Sequence, residues 1–314
     1  MKTLILKKLG SAVVVVFVLT IIVFSIVHIM HGDPITTMLG ENAAPEQIAS
    51  LRAQYNLDKP YVQQYLIWLG NLIKGDFGTS ITSKAPVLPS IMSRLPRTLV
   101  LCIVPTVISL IIAIILGVIS AARHNSGIDL GISVSSLIML SVPEFWMGIM
   151  LMLLFSVYFH ILPAGGYVKA TDDFVGYLRC MIMPVLTLVF HTIPSTIRLV
   201  RSSMLEVLGE DYMMLARTKG NSQRRTHYIH GLRNSLIPIA TNVSLQITSL
   251  MAGVIVIEKV FQYPGMGLLL LNSISYRDYP MIQGCIFVFS IIVVITNLLT
   301  DIVYAIIDPR IRYS

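Results

Sequence analysis

Long apolar runs separated by polar segments dominate the chain. A helix needs about 20 mostly apolar residues to cross the hydrocarbon core of a bilayer. Six runs meet that length or come close: Leu9–Met30, Thr98–Ala122, Ile132–Phe159, Met183–Val200, Leu236–Ile257 and Ile282–Ile307. They predict six membrane-spanning helices. Lys2, Lys7 and Lys8 ahead of the first run imitate a signal peptide. Its core is long, however, and Ile29-Met30-His31-Gly32-Asp33 offers no A-x-A cleavage site, so it reads as a retained span.

The segment between the first two runs is too polar to cross a membrane. Within it, Glu46–Tyr55 and Tyr61–Leu72 have helical character. Asn56-Leu57-Asp58-Lys59-Pro60 separates them, because proline drives the preceding residue out of the α region. Small polar and glycine residues follow at Gly75-Asp76-Phe77-Gly78-Thr79-Ser80. The segment predicts a small cap and holds no paired nucleophile and base.

Composition narrows the class. Charged residues make up 12% of the chain, against about 25% in an ordinary soluble domain. The net charge of +7 is spent on topology rather than on nucleic acid. With the N-terminus inside, the shorter inside segments hold Lys2, Lys7, Lys8, Arg123, Arg201, Arg217, Lys219, Arg224 and Arg225 among others, at higher density than the outside segments. Six spans then return the C-terminus to the cytoplasm. Cys102, Cys180 and Cys285 are too few and too widely spaced for a disulfide framework or a zinc site.

Within the spans, Pro105, Pro143, Pro184, Pro194 and Pro238 predict kinks around a cavity, or the ordinary enrichment of proline in membrane helices. Gly117, Ser120, Gly148 and Gly253 permit close helix packing. The ionisable residues inside the runs are Glu144, His191 and Asp301. Glu144 follows Pro143 at a helix break and either faces a pathway or pairs locally. His191 is a packing histidine or a ligand, and Asp301 is expected to pair within the fold. Glu144, His191 and Ser195 form the candidate pathway set. No chain of acidic residues crosses the membrane, so the driving energy is expected to come from elsewhere. There is no G-x-x-x-x-G-K-[ST] phosphate loop and no H-E-x-x-H. The histidine pairs His28/His31 and His227/His230 are weak grounds for a metal, and no metal site is expected.

The longest inside loop spans 201–235. Leu205, Leu208, Tyr212 and Leu215 recur at helical spacing, with Glu206, Glu210 and Arg217 on another face. Gly220 suits a left-handed C-cap, and a basic stretch, Gln223–Arg233, follows. The loop reads as a helix–glycine–helix hairpin that lies on the membrane surface or docks into a cytoplasmic partner.

Several motifs occur in a familiar order. They are Asn56-Leu57-Asp58-Lys59-Pro60, Gly75-Asp76-Phe77-Gly78-Thr79-Ser80, Pro143-Glu144-Phe145-Trp146 and Asp211-Tyr212-Met213-Met214-Leu215-Ala216-Arg217-Thr218-Lys219-Gly220. Leu232-Arg233-Asn234-Ser235-Leu236-Ile237-Pro238, the stretch from Glu258 to Gly267, Arg277-Asp278-Tyr279-Pro280 and Asp308-Pro309-Arg310-Ile311-Arg312 complete the set. Along nearly its whole length the chain resembles the inner-membrane permease subunits of bacterial peptide- and nickel-type ABC importers. In the E-A-A-x-x-x-G loop of the wider superfamily, Met214 and Leu215 stand where Glu and the first Ala would be, while Ala216 and Gly220 remain.

The resemblance implies an all-α membrane protein with six transmembrane helices, the type I ABC importer permease fold and a small extracytoplasmic cap after the first helix. The expected organisation is an N-terminal tail and first span at 1–30, the cap at 31–97, a permease core at 98–307 containing the coupling loop 201–235, and a cytoplasmic tail at 308–314. Asp211, Tyr212, Ala216, Arg217, Lys219, Gly220, Arg225, Arg233 and Asn234 would form the ATPase-coupling loop. The implied partners are a second homologous permease, two cytoplasmic ATPases that carry ATP and magnesium, an extracytoplasmic substrate-binding protein and the lipid bilayer. The chain itself would be non-catalytic and bind no cofactor. The expected substrates are di- and oligopeptides, with nickel, a metal chelate or glutathione as the alternative. A stand-alone carrier or channel is the remote reading.

Overall fold

The computed structural model of the chain describes residues 2–29, 35, 44–211, 213 and 232–307. Its elements are α1 (Lys2–Ile29), α2 (Pro45–Gln54), α3 (Tyr61–Ile73), α4 (Val87–Met92), α5 (Leu95–Ala122), α6 (Gly127–Ser141), α7 (Glu144–Met152), α8 (Phe174–Gly209), α9 (Leu232–Val260), α10 (Met266–Ser275) and α11 (Tyr279–Ile307). Among the described residues five helices are long and apolar enough to span a membrane, and up to six spans result if the bent pair α6 and α7 counts as one. The chain forms two compact units, one of Leu99–Tyr263 and Thr296–Ser314, the other of Lys2–Thr98 and Pro264–Ile295.

The first unit is organised around α8. This helix packs on α6, α7 and α9, and 72% of its most apolar window is buried. The 36-residue helix is longer at both ends than the predicted run Met183–Val200 and passes through Pro184 and Pro194 without a break. Leu205 and Leu208, whose spacing suggests a loop helix, therefore belong to the end of the span. They pack against a cluster of Val118, Ala121, Val200, Met204 and Ile239. Pro105 and Pro238 also remain inside helices. An interior proline costs about 3 kcal/mol, a penalty that apolar burial over a long helix can outweigh.

Among the described residues, Pro143 alone breaks a span. Val142 takes extended angles, φ −93° and ψ 121°, as a residue preceding proline prefers, and α6 and α7 meet at a bend of 92°. The predicted run Ile132–Phe159 is thus two helices. After α7 the chain relaxes into a π-helical turn, Leu153–Tyr158, with the Phe159 amide donating to the Leu154 carbonyl five residues back.

The apolar faces point outward where a membrane requires it. On α5, Ile103, Val107, Ile111 and Ile115 form an exposed stripe, while Cys102, Thr106, Ser109 and Ala113 are buried. An exposed apolar stripe of this length suits a hydrocarbon surrounding or a covering partner. The small residues singled out in the sequence lie at close approaches. A Cβ on Gly117 would come 2.7 Å from Val200, and one on Gly148 would come 3.2 Å from Phe261.

In the second unit α3 packs on α1. Hydroxyl pairs join them, Tyr65 with Thr20 at 2.9 Å and Tyr61 with Ser25 at 2.7 Å. The predicted helix–turn–helix appears as α2 and α3, each within a residue of its expected bounds, with Asn56 at φ 56° in the turn. Asp76 caps the glycine turn by accepting from the Gly78 amide at 2.8 Å. The buried Asp278 carboxylate accepts from the Ser80 hydroxyl and from the Ile81 amide at 3.0 Å. Two motifs far apart in sequence are one structural joint.

Candidate functional site

The bend at Pro143 decides where Glu144 goes. Glu144 opens α7, where the unpaired amides of a first helical turn favour a negative charge. Its carboxylate rests against Gly253 of α9, where a Cβ would meet Glu144 Oε1 at 2.8 Å and Oε2 at 2.9 Å. Glycine at this point is what lets the acid approach the helix. From α8, His191 Nε2 lies 3.8 Å from Glu144 Oε2. The structure therefore brings two of the three candidate pathway residues together. Glu144 thus has a local partner, and that partner, His191, lines a cavity.

That cavity, about 210 Å³, lies along α8 and α9. His191, Thr192 and Ser195 line it from one helix, and Asn242, Leu245, Gln246 and Ser249 from the other. Ser195, the third candidate, is in its wall. The hydroxyls of α8 donate to their own helix, Thr192 to the Leu188 carbonyl at 2.8 Å and Ser195 to the Thr192 carbonyl at 3.1 Å. They face their surroundings as acceptors.

Gln246 was not singled out in the sequence, and it is the most constrained polar residue of the seam. It is 7% exposed. Its Nε2 lies 3.4 Å from Ser109 Oγ and 3.5 Å from Thr196 Oγ1. Both hydroxyls donate elsewhere, Ser109 to the Thr106 carbonyl and Thr196 to the Thr192 carbonyl, so the amide must turn its NH2 group toward them. Among the described residues Gln246 Oε1 has no hydrogen-bond partner, although it is buried. A buried acceptor in that condition costs about 1–3 kcal/mol.

A second charged group sits nearer the loop end of α8. Asp129, in the first turn of α6, accepts from Arg201 Nε at 2.6 Å and Arg201 Nη2 at 2.8 Å. It also accepts from the Asn125 amide at 3.0 Å and from the Ser120 hydroxyl. His124 Nδ1 lies 3.1 Å from Arg201 Nη2. This node ties α5, α6 and α8 together. The sequence reading missed Asp129, although Ser126-Gly127-Ile128-Asp129 has the form of a capping box and Ser126 does accept from the Asp129 amide at 3.3 Å. Glu258 was also missed. It lies just past the predicted fifth run, yet α9 extends to Val260 and buries it completely, with a partner in the fold.

Of the expected coupling residues, Asp211 is exposed just beyond the end of α8. Tyr212, Ala216, Arg217, Lys219, Gly220 and Arg225 lie outside the described residues. Arg233 and Asn234 fall in the first turn of α9, and their side chains are outside the described set, as is that of Asp301. His31, His227 and His230 are outside it as well, whereas His28 bonds the Phe24 carbonyl and Gln64.

Residues 113–313 match the family described as the binding-protein-dependent transport system inner membrane component. Residues 1–102 match the N-terminal part described for the same kind of membrane component. The chain is 40% identical to the oligopeptide transport system permease protein AppB of Bacillus subtilis, over 100% of both chains. It is 37% identical to a putative peptide transport system permease protein of Brucella abortus, again over 100% of both. With the dipeptide transport system permease protein DppB of Escherichia coli it shares 35% identity over 99% of this chain and 98% of that one. Its several apolar helices and this full-length likeness agree: the chain belongs to the family of binding-protein-dependent transport system inner membrane components, the multi-pass permeases of ABC importers.

Proposed function

We propose that the chain is the permease subunit of an ABC importer that passes di- and oligopeptides across the cytoplasmic membrane by alternating access. The full-length likeness to permeases named for oligopeptide and dipeptide transport carries this reading. The polar seam of α8 and α9 supports it, because it supplies hydrogen-bonding groups within otherwise apolar helices. Glu144, His191 and Ser195 line or border the path. The chain is non-catalytic: two cytoplasmic ATPases hold ATP and magnesium, and a second permease and an extracytoplasmic binding protein complete the assembly. Both termini are cytoplasmic, and residues 31–97 form the extracytoplasmic cap.

The loop 201–235 is the lever. Asp211, Tyr212, Ala216, Arg217, Lys219, Gly220, Arg225, Arg233 and Asn234 meet the ATPases, and closure of the ATPases on ATP moves this loop with the base of α8. Each ligand drives the cycle only through its different affinity for the inward- and outward-open states.

Gentle affinity purification of the tagged chain from native membranes, followed by mass spectrometry, tests the assembly. A second permease and ATPases are expected to travel with it. A chain that purifies alone and moves solute in vesicles without ATP overturns the importer reading. Gly220→Val is expected to lower substrate-stimulated ATP hydrolysis and transport together while the protein stays in the membrane. Normal values for both remove the lever.

A further inference from the structure

The cavity lined by His191, the ion-pair neighbour of Glu144, offers several acceptors, among them the Thr192 and Ser195 hydroxyl oxygens. Glu144 has His191 as the one basic side chain within ion-pair distance among the described residues, at 3.8 Å, beyond ordinary hydrogen-bond length. Ser195 and Thr192 have spent their protons on backbone carbonyls. Gln246 Oε1 meets no donor among the described residues. A carboxylate in a membrane protein is expensive unless something neutralises it. An occupant with a positive charge and N–H groups complements the Glu144 carboxylate and the bare Gln246 acceptor.

The spacing adds a register. Glu144 abuts Gly253, and Gln246 lies seven residues earlier on α9, on the same face. Two helical turns separate them by about 10 Å. An extended peptide covers about 3.3–3.6 Å per residue, so that gap is about three residues. Asn242 and Ser249 fall on the same side of α9 and line the same cavity.

We propose that this seam is a substrate-reading subsite inside the permease, in which the Glu144 carboxylate holds the free α-ammonium group of a peptide and Gln246 Oε1 accepts a backbone N–H about three residues further along. The inference rests on the peptide-importer reading above. Glu144 and Gln246 act as specificity residues for that transport. Gly253 is a positioning residue that admits the carboxylate to the seam.

The test uses the complete importer, with its binding protein, in proteoliposomes loaded with ATP. Uptake is measured for trialanine, N-acetyl-trialanine and an N-acetylated tripeptide beginning with lysine. The binding protein is the same throughout, so the change in the free-to-acetylated ratio between wild type and variant isolates the permease. Glu144→Gln is expected to slow free trialanine by about ten-fold, the loss of one charge-assisted hydrogen bond, and to leave N-acetyl-trialanine within about two-fold. An unchanged ratio overturns the subsite. Loss that follows the lysine side chain instead of the terminus overturns the α-ammonium assignment. If the intact wild-type importer takes up no peptide, the peptide reading fails before the subsite is reached. Gln246→Met is expected to slow uptake of tetraalanine, which carries an N–H three residues beyond its ammonium group, several-fold and to spare dialanine, which is too short to reach from Glu144. Equal losses for both lengths overturn the register. Should Gln246→Met fail to assemble, the Glu144→Gln arms still decide.

Discussion

Asp129 and Glu144 occupy parallel places in the first unit. Each lies in the first turn of a helix, and each faces a basic residue of α8. Their surroundings are opposite. Asp129 is 6% exposed and receives four donors from three sequence regions, two of them from one guanidinium. Glu144 is 17% exposed and has an imidazole at 3.8 Å. A bidentate Arg–carboxylate pair is strong because geometry and charge coincide, and a saturated carboxylate has nothing left to offer a ligand. A carboxylate with spare lone pairs beside a cavity does. The same residue class thus serves as a bolt in one place and as a candidate for recognition in the other.

The sharpest way to break this comparison is to remove one partner from each site. Arg201→Ala leaves Asp129 buried without its counter-charge and is expected to cost about 3 kcal/mol, seen as a lowered Tm of the purified importer. Glu144→Gln is expected to leave the Tm within the range of an ordinary surface change, below about 0.5 kcal/mol. Equal shifts for the two variants would erase the distinction.

The glycines beneath the two sites give a smaller contrast. At Gly117 an added Cβ meets Val200 Cβ at 2.7 Å and the Ile197 carbonyl at 3.1 Å. Gly117→Ala is therefore expected to force α5 from α8 at about 1–3 kcal/mol, again read by Tm. At Gly253 the clash is with the end of a flexible acid. Gly253→Ala is expected to spare stability and lower peptide uptake by displacing Glu144. A Tm loss as large as that of Gly117→Ala would mean that Glu144 is locked in place and is structural. The smallest effect concerns the N-cap of α6. Ser126→Ala is expected to cost about 1 kcal/mol by freeing the Asp129 amide, without changing uptake per folded complex.

Much of the architecture was legible in the chain. Apolar runs located the long helices, and the Asn56–Pro60 stretch located the turn joining α2 and α3. The end of α8 was less legible. The run of hydrophobic residues stops near Val200, yet the helix continues to Gly209 because Leu205 and Leu208 find an apolar cluster to cover. Prolines were a poor guide on their own. Five looked equally able to bend a helix, and packing held four of them within helices.

The candidate site was half legible. Glu144 and His191 stood out as ionisable residues in apolar runs, and chemistry alone nominated them. Gln246 and Asp129 did not stand out, because their significance lies in what surrounds them. The partner of Asp129 is 72 residues away. The hydroxyls that orient Gln246 are 137 and 50 residues away.

Sequence by itself determined the class of protein and the places of its long apolar helices. These follow from transfer of apolar side chains into hydrocarbon and from backbone sterics, which act over a few neighbouring residues. Tertiary structure alone decided which acid is saturated, which amide is left with a bare acceptor and where a cavity remains. Those properties depend on distances of a few ångströms between helices, and no local pattern in the chain encodes them.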